Sequence, residues 1–286
     1  MMKQFKDRVA VITGGASGIG LGLAERCLRE GMKVVIADIE KSALLRAEKE
    51  LKTSYTDVLA VEVDVSSVKD VESLAGQALD AFGSVHLLFN NAGVGKGGVI
   101  WENTLDDWTW LINVNLWGVI HGVKVFVPIM LDQKSECHIV NTASIAGLNS
   151  APGVGIYRMT KHAVVSISET LHHDLRGYGA QIGVSVLCPG PVSTRVLDAE
   201  RNRPEGLSNT AEETITTPER LSFITWFRNR VENGMRPEQV AEQVFRAIQE
   251  NRFYIITHPE YKEAIKLRME DILQDRIPTV PKPELQ

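Results

Sequence analysis

Short runs rich in Val and Ile alternate with longer amphipathic stretches along most of the chain, and that alternation constrains the fold more than any other feature. The apolar runs are Val9–Thr13, Lys33–Ala37, Val58–Val63, Val85–Asn90, His138–Thr142, Ile182–Leu187 and Phe253–Thr257. They are largely continuous, as strands buried on both faces require. Helical patterns lie between them at Gly18–Glu30, Glu40–Leu51, Val68–Phe82, Leu105–Leu131, Val154–Tyr178 and Pro237–Asn251. This order predicts an α/β fold, a parallel sheet flanked by helices on both faces. No repeat, low-complexity tract or linker divides the 286 residues, so one domain over 1–286 is expected.

Composition narrows the class of partner. Hydrophobic content of 44% and charged content of 23% are those of an ordinary globular protein. A net charge of −5 and a pI near 5.9 argue against nucleic acid or an anionic membrane. No apolar run approaches the roughly 18 residues of a spanning helix. Met1–Asp7 leads into the first strand without an apolar stretch of the signal-peptide kind. Cys27, Cys137 and Cys188 are scattered in apolar surroundings, which fits buried thiols in a reducing cytoplasm. Consecutive His172 and His173 cannot face one ion, and the other histidines show no ligand spacing, so no metal is expected.

A dinucleotide site is legible at the first strand–helix turn, Thr13-Gly14-Gly15-Ala16-Ser17-Gly18-Ile19-Gly20. Glycines let the backbone approach a pyrophosphate closely, and the helix N-terminus supplies free N–H groups and a positive dipole end. Gly14, Ser17, Gly18, Ile19 and Gly20 are therefore candidate cofactor residues, although their spacing differs from the general Gly-x-Gly-x-x-Gly fingerprint. Asp38 follows Gly20 by eighteen residues, at the end of the second run. A carboxylate there accepts hydrogen bonds from the adenosine ribose and repels a 2′-phosphate, which favours NAD(H) over NADP(H) even with Lys41 nearby. Asp64 and Val65 can meet the adenine edge, and Asn90-Asn91-Ala92-Gly93 offers small residues where a cofactor would cross the sheet.

Tyr157 and Lys161 are four residues apart in a helical stretch, about one turn, so both project from the same face. An unperturbed tyrosine, with a pKa of about 10, exchanges protons poorly at neutral pH. A neighbouring cation favours the phenolate, and Ser144, thirteen residues earlier, can hold a carbonyl oxygen. With a bound dinucleotide this set supports reversible hydride transfer between an alcohol and a ketone. Tyr-x-x-x-Lys on its own is a common surface pair; its company gives it weight.

That company resembles the short-chain dehydrogenase/reductase family. The matching pieces, in family order, are the Thr13–Gly20 turn, Asn90-Asn91-Ala92-Gly93, Asn115, Ser144, Tyr157 with Lys161, and Pro189-Gly190-Pro191-Val192-Ser193-Thr194. The resemblance implies a single Rossmann domain with seven parallel strands, assembled as a homodimer or homotetramer through its two long helices. It also implies that Tyr157 is the general acid/base and that Lys161 lowers its pKa and holds the nicotinamide ribose. Ser144 would bind the substrate oxygen, and Asn115 would hold a water relaying protons to Lys161. Pro189, Gly190, Val192 and Thr194 would bind the nicotinamide end. Arg158 and Met159 stand where smaller residues are commoner; Arg158 is expected to face solvent or a subunit neighbour.

Residues 193–235, a polar then amphipathic insertion after a strand end, read as a substrate lid carrying Phe223, Ile224, Trp226 and Phe227. Beyond about residue 259 a helix and a poorly ordered, Pro-rich end at Pro278–Gln286 are expected. The substrate pocket would draw on Ser144, Leu148, Val154, Tyr157 and Pro191, with Val94, Gly95 and Asn149 nearby. No Arg or Lys among them grips a carboxylate or phosphate, which points to an apolar or aromatic secondary alcohol or its ketone. Trp108, Trp110 and Arg252-Phe253-Tyr254 look similar to a family subset that oxidises benzylic alcohols of lignin-derived aryl ethers, although core or subunit packing also accounts for Trp108, Trp110 and Trp117. A catalytically silent dinucleotide sensor, or a dehydratase or epimerase with the same pocket, are the competing readings.

Overall fold

The seven apolar runs form seven strands: β1 Val9–Thr13, β2 Lys33–Asp38, β3 Val58–Glu62, β4 Leu87–Asn90, β5 Cys137–Thr142, β6 Ile182–Cys188 and β7 Tyr254–Ile256. The computed structural model describes residues 2–210 and 218–285; residues 211–217 of the expected lid lie outside them. All strands pair in parallel in the order β3-β2-β1-β4-β5-β6-β7. Every residue of β1, β4 and β5 is buried, which is why those runs carry no polar alternation.

The helices are α1 Gly18–Arg29, α2 Lys41–Leu51, α3 Val68–Phe82, α4 Leu105–Ile112, α5 Gly118–Asp132, α6 Gly155–Gly177, α7 Pro218–Glu232, α8 Pro237–Gln249 and α9 Lys262–Leu273. Leu23 of α1, Leu44 of α2 and Phe245 of α8 pack on one sheet face with Ile12 and Ile36. Leu74 of α3, Phe126 of α5 and Leu171 of α6 pack on the other with Val11, Val35 and Ile139. Neighbours such as Val11 and Ile12 thus serve opposite layers, as the period of two in a strand requires. This is a single Rossmann-like domain, and β1 is its switch point: β2 lies on one side and β4 on the other. Open sheets bind ligands in the crevice such a reversal leaves at the strands' carboxyl ends.

Three expectations need correction here. The long helix is not one regular α-helix: a π-helical segment, Asn113–Trp117, separates α4 from α5. Its five residues, Asn-Val-Asn-Leu-Trp, include no glycine or proline that would announce the change. Leu105–Asp132 as a whole has a mean hydropathy of 1.6 in its most apolar window and is long enough to cross a membrane, despite having no long uninterrupted apolar run. Its Trp110, Leu111, Phe126 and Met130 are buried in the core. The Pro-rich end is also packed. Thr279 N donates to Asp271 Oδ2 (2.8 Å), and Leu285 is buried beside Ile145, Tyr261 and Ala264.

Two histidines make the fold acid-sensitive. Burial pushes His138 down to about 3, and burial with the Arg8 charge pushes His86 down to about 4. Both are neutral when folded, whereas the unfolded chain takes up their protons near pH 6.5. Their contribution is complete above that value and is lost as pH falls toward the folded pKa, by about 1.4 kcal/mol per histidine per pH unit. The thermal midpoint should therefore fall steadily between pH 7 and 5. In His138→Gln the slope should be visibly shallower; an unchanged slope would show that other groups control it.

Candidate active site

At the crevice, the end of β1 is laced to the end of β4. Thr13 Oγ1 donates to Phe89 O (3.3 Å) and accepts from the N–H groups of Asn91 (2.9 Å) and Ala92 (3.1 Å). Asn91 Nδ2 donates to Thr13 O (3.0 Å). The glycine turn is then folded tightly against this seam. Gly14 has φ +64° and Gly18 φ +52°, conformations that favour glycine. A Cβ at Gly20 would lie 2.0 Å from Gly14 O. Ser17 precedes α1 without capping it through its side chain, and the first turn contains no acid. Its N–H groups and positive dipole end therefore suit an anionic phosphate.

Asp38 closes the glycine-turn end of the cleft. Its Oδ2 accepts from Ala16 N (3.2 Å) and its Oδ1 from Glu40 N (3.0 Å), while burial raises its pKa. The neighbouring cations are already paired: Lys41 with Glu62 (3.0 Å), and Arg201 with Glu40 (2.8 Å). Asp64 accepts from Ser66 N (2.9 Å) at the end of β3, with Val65 beside it on the cleft.

At the other end, Ser144 follows β5 and starts a short 3-10 turn, accepting from Ala146 N (3.1 Å). Its hydroxyl also hydrogen-bonds the Tyr157 phenol. Tyr157 and Lys161 lie on one side of α6, with Nζ 5.6 Å from the ring centre, and Nζ donates to Thr142 O (2.9 Å). Burial lowers Lys161 to about 8. The expectation that Lys161 lowers the phenol is not met: burial holds Tyr157 above its ordinary value, and the Ser144 hydrogen bond and Arg158 charge pull it back. Lys161 spends its ammonium on Thr142 instead. Asn115, in the π segment, is also committed. Its Oδ1 accepts from Val94 N (2.8 Å), and its Nδ2 donates to Val94 O (2.9 Å) and Thr160 Oγ1 (3.3 Å). Its amide therefore fixes Val94 and α6.

One cleft of about 500 Å³ joins these two ends. It is lined by Gly14, Ser17, Gly18, Ile19, Asp38, Asp64, Val65, Asn91, Ala92 and Gly93 toward the glycine turn. Ser144, Val154, Tyr157, Lys161, Pro189, Gly190, Pro191, Val192 and Thr194 line the rest. Gly20 and Asn115 support the wall from behind. Leu148 is not on the cleft; it packs beside Ile145, Tyr261 and Ile256, and Ile145 and Ala146 take the position expected for it. From α7, Ile224, Trp226, Phe227 and Val231 reach the cleft, whereas the Phe223 side chain is not described.

Arg158 is the largest departure. It is buried, only 8% exposed, and lines the cleft instead of facing solvent or a neighbour. Its Nη1 donates to Asn149 O (3.4 Å) and Oδ1. Helical geometry does turn it away from Tyr157, but the 145–149 loop and the C-terminal segment cover that side too. Sequence could have flagged it only as a bulky cation where small residues are commoner. Tyr261, also missed, reaches the cleft from a turn beyond β7 and carries no motif.

Comparison with known proteins places these features in a family. Residues 8–205 match the family model for short chain dehydrogenase. A short chain dehydrogenase/reductase from Burkholderia phymatum, solved in complex with NAD, superposes with a TM-score of 0.95 at 50% identity, covering 98% of this chain and 99% of that one. The CLA biosynthesis dehydrogenase/reductase of Lactiplantibacillus plantarum is 37% identical over 98% of both chains. The C alpha-dehydrogenase of Sphingobium sp. is 34% identical over 99% of this chain and 91% of its own length. With its parallel sheet and its Ser, Tyr and Lys gathered at one end of a glycine-edged cleft, the chain belongs to the short chain dehydrogenase family of oxidoreductases.

Proposed function

We propose that this protein transfers a hydride between NAD(H) and an apolar or aromatic secondary alcohol or ketone. The observation that carries the reading is the convergence of Ser144, Tyr157 and Lys161 at one end of a cleft whose other end is an uncapped helix N-terminus beside Asp38. The bound nicotinamide supplies or accepts the hydride. Tyr157, protonated because burial raises its pKa, donates its proton to the carbonyl oxygen during reduction and takes it back during oxidation. Ser144 steadies both the phenol and the substrate oxygen, placing a donor where negative charge develops. Lys161 holds the nicotinamide ribose, and Asn115 positions α6 beneath it. Residues 193–210 and 218–235 form the substrate lid and residues from about 259 an extension that completes the pocket. The NAD complex of the Burkholderia relative and the dehydrogenase names of the curated relatives support the reaction class.

Reduced nicotinamide absorbance with a panel of aryl, steroid, polyol and acyl-thioester substrates tests this directly. Best turnover on a charged thioester would overturn the apolar-substrate reading. Asp38→Ala should reduce the NAD-over-NADP ratio of kcat/KM by about tenfold or more, because a buried carboxylate facing a 2′-phosphate is removed. A ratio unchanged within about twofold would remove Asp38 from that role.

We further propose assembly as a homodimer or homotetramer through α4–α5 and α6. Trp117, 46% exposed on an otherwise apolar helix, supports that reading. The sequence-based expectation of a cytoplasmic enzyme without membrane or nucleic-acid partners stands as part of the same proposal.

A further inference from the structure

Among the described residues Arg158 has no carboxylate partner. Burial lowers its pKa to about 10, so it remains charged at neutral pH. The ionisable groups acting on it are two phenols, Tyr157 and Tyr261, and no carboxylate among the described residues forms an ion pair with it. Only Nη1 has hydrogen-bond partners, the carbonyl oxygens of Asn149, and Nε is buried with none. An unpaired buried charge is costly unless an anion completes it. A second donor stands beside it. Tyr261 is fully buried, and its phenolic oxygen accepts from Arg230 Nη2 (2.6 Å), which leaves its own hydrogen available to an acceptor. Arg230 is in turn held by Glu284 O (2.8 Å), so the donor is fixed in place. Both Arg158 and Tyr261 line the cleft that contains Tyr157, and the apolar side chains of Ile145, Ile224 and Val231 line it too.

We infer that Arg158 and Tyr261 form a carboxylate-recognition subsite, so that the substrate is an amphipathic hydroxy or oxo acid. Its carboxylate is held on the guanidinium while its carbinol or carbonyl carbon lies at Tyr157, and its apolar body fills the space under α7. This rests on the proposed alcohol–ketone reaction and adds the class of acid. A guanidinium attracts a carboxylate by its charge as well as by N–H donation, and an uncharged amide of the same shape lacks the charge that completes the site.

The test compares 4-phenylbutyrate with 4-phenylbutanamide, measuring binding to the NAD-loaded protein by calorimetry. The wild type should bind the acid at least about tenfold more tightly than the amide. Arg158→Met should abolish the difference while amide affinity stays within about twofold, and Arg158→Lys should restore part of it. Equal binding of acid and amide by the wild type overturns the inference. So does Arg158→Met weakening both ligands alike, since the arginine would then only brace the Asn149 loop. The parent reading is judged separately, by oxidation of neutral secondary alcohols. If no alcohol is oxidised but the acid–amide gap is present, the reaction class fails and the subsite stands. If neutral alcohols are oxidised and the gap is absent, the reverse holds.

Discussion

Tyr157→Phe should lower kcat by about a hundredfold to ten-thousandfold, the usual worth of a positioned proton donor, while dinucleotide affinity changes little. The substitution removes one hydroxyl and keeps the ring, which packs with Val94, Trp110 and Ile156. Ser144 loses one partner but still accepts from Ala146 N and bonds Pro189 O (3.4 Å), so its turn keeps its shape. The glycine turn lies at the other end of the cleft and has no contact with the phenol. Single-turnover hydride transfer and fluorescence titration with the dinucleotide separate the two effects. A variant that retained more than about a tenth of wild-type turnover would show that the proton comes from elsewhere.

Asp107→Ala should cost about 3–5 kcal/mol of stability, the range for breaking a buried ion pair by removing one partner. Asp107 is buried at the first turn of α4, where it completes a capping box with Thr104. Its Oδ1 accepts from Arg203 Nη1 (2.7 Å) and Asn209 Nδ2 (3.0 Å) and pairs with Lys96 (3.1 Å). Although burial works against its charge, these donors hold its carboxyl below the usual range. Removing it leaves the Arg203 guanidinium over the Trp110 ring (5.1 Å) with the exposed Glu200 as its one remaining carboxylate among the described residues. Because Arg203 and Asn209 belong to the segment that walls the cleft, KM should rise along with the loss of stability. Denaturant titration reads the first effect. The double variant Asp107→Leu with Arg203→Met should recover much of it, since neither charge is then left alone. A loss below about 1 kcal/mol would mean the network is solvated and contributes little.

The strands were legible nearly to the residue because each is a short apolar run that no helix of that length could use. Burial on both faces leaves no other explanation for β4 or β5. The glycine turn was equally legible, since a strand followed by glycines and a helix start is a local construction: its φ angles and its uncapped N–H groups arise within about eight residues. Tyr157 and Lys161 were placed on one side of α6 by helix periodicity alone. Asn115 was identified, but its committed amide was not, because its partners Val94 and Thr160 come from two other parts of the chain.

The failures share that cause. Leu148 is expected at the pocket, yet after the 3-10 turn Ile145–Gly147 it packs beside Tyr261 and Ile256 while Ile145 lines the cleft. Gly147 makes this possible: a Cβ there would lie 2.6 Å from Lys161 O, so the turn can rest directly on the backbone of α6. Arg158 was read as outward-facing because helix geometry gives direction but not what waits there. Residues more than a hundred positions later, Tyr261 and Leu285, cover that side.

The sequence by itself determined the sheet, the glycine turn and the helix face that carries Tyr157 and Lys161, since each depends on contacts among near neighbours or on burial that is uniform along a run. The tertiary structure alone decided which side chains stand at the far end of the cleft and which charges there are paired. Those depend on where distant segments return, and a buried charge takes its character from whatever lies within a few ångströms of it, regardless of separation along the chain.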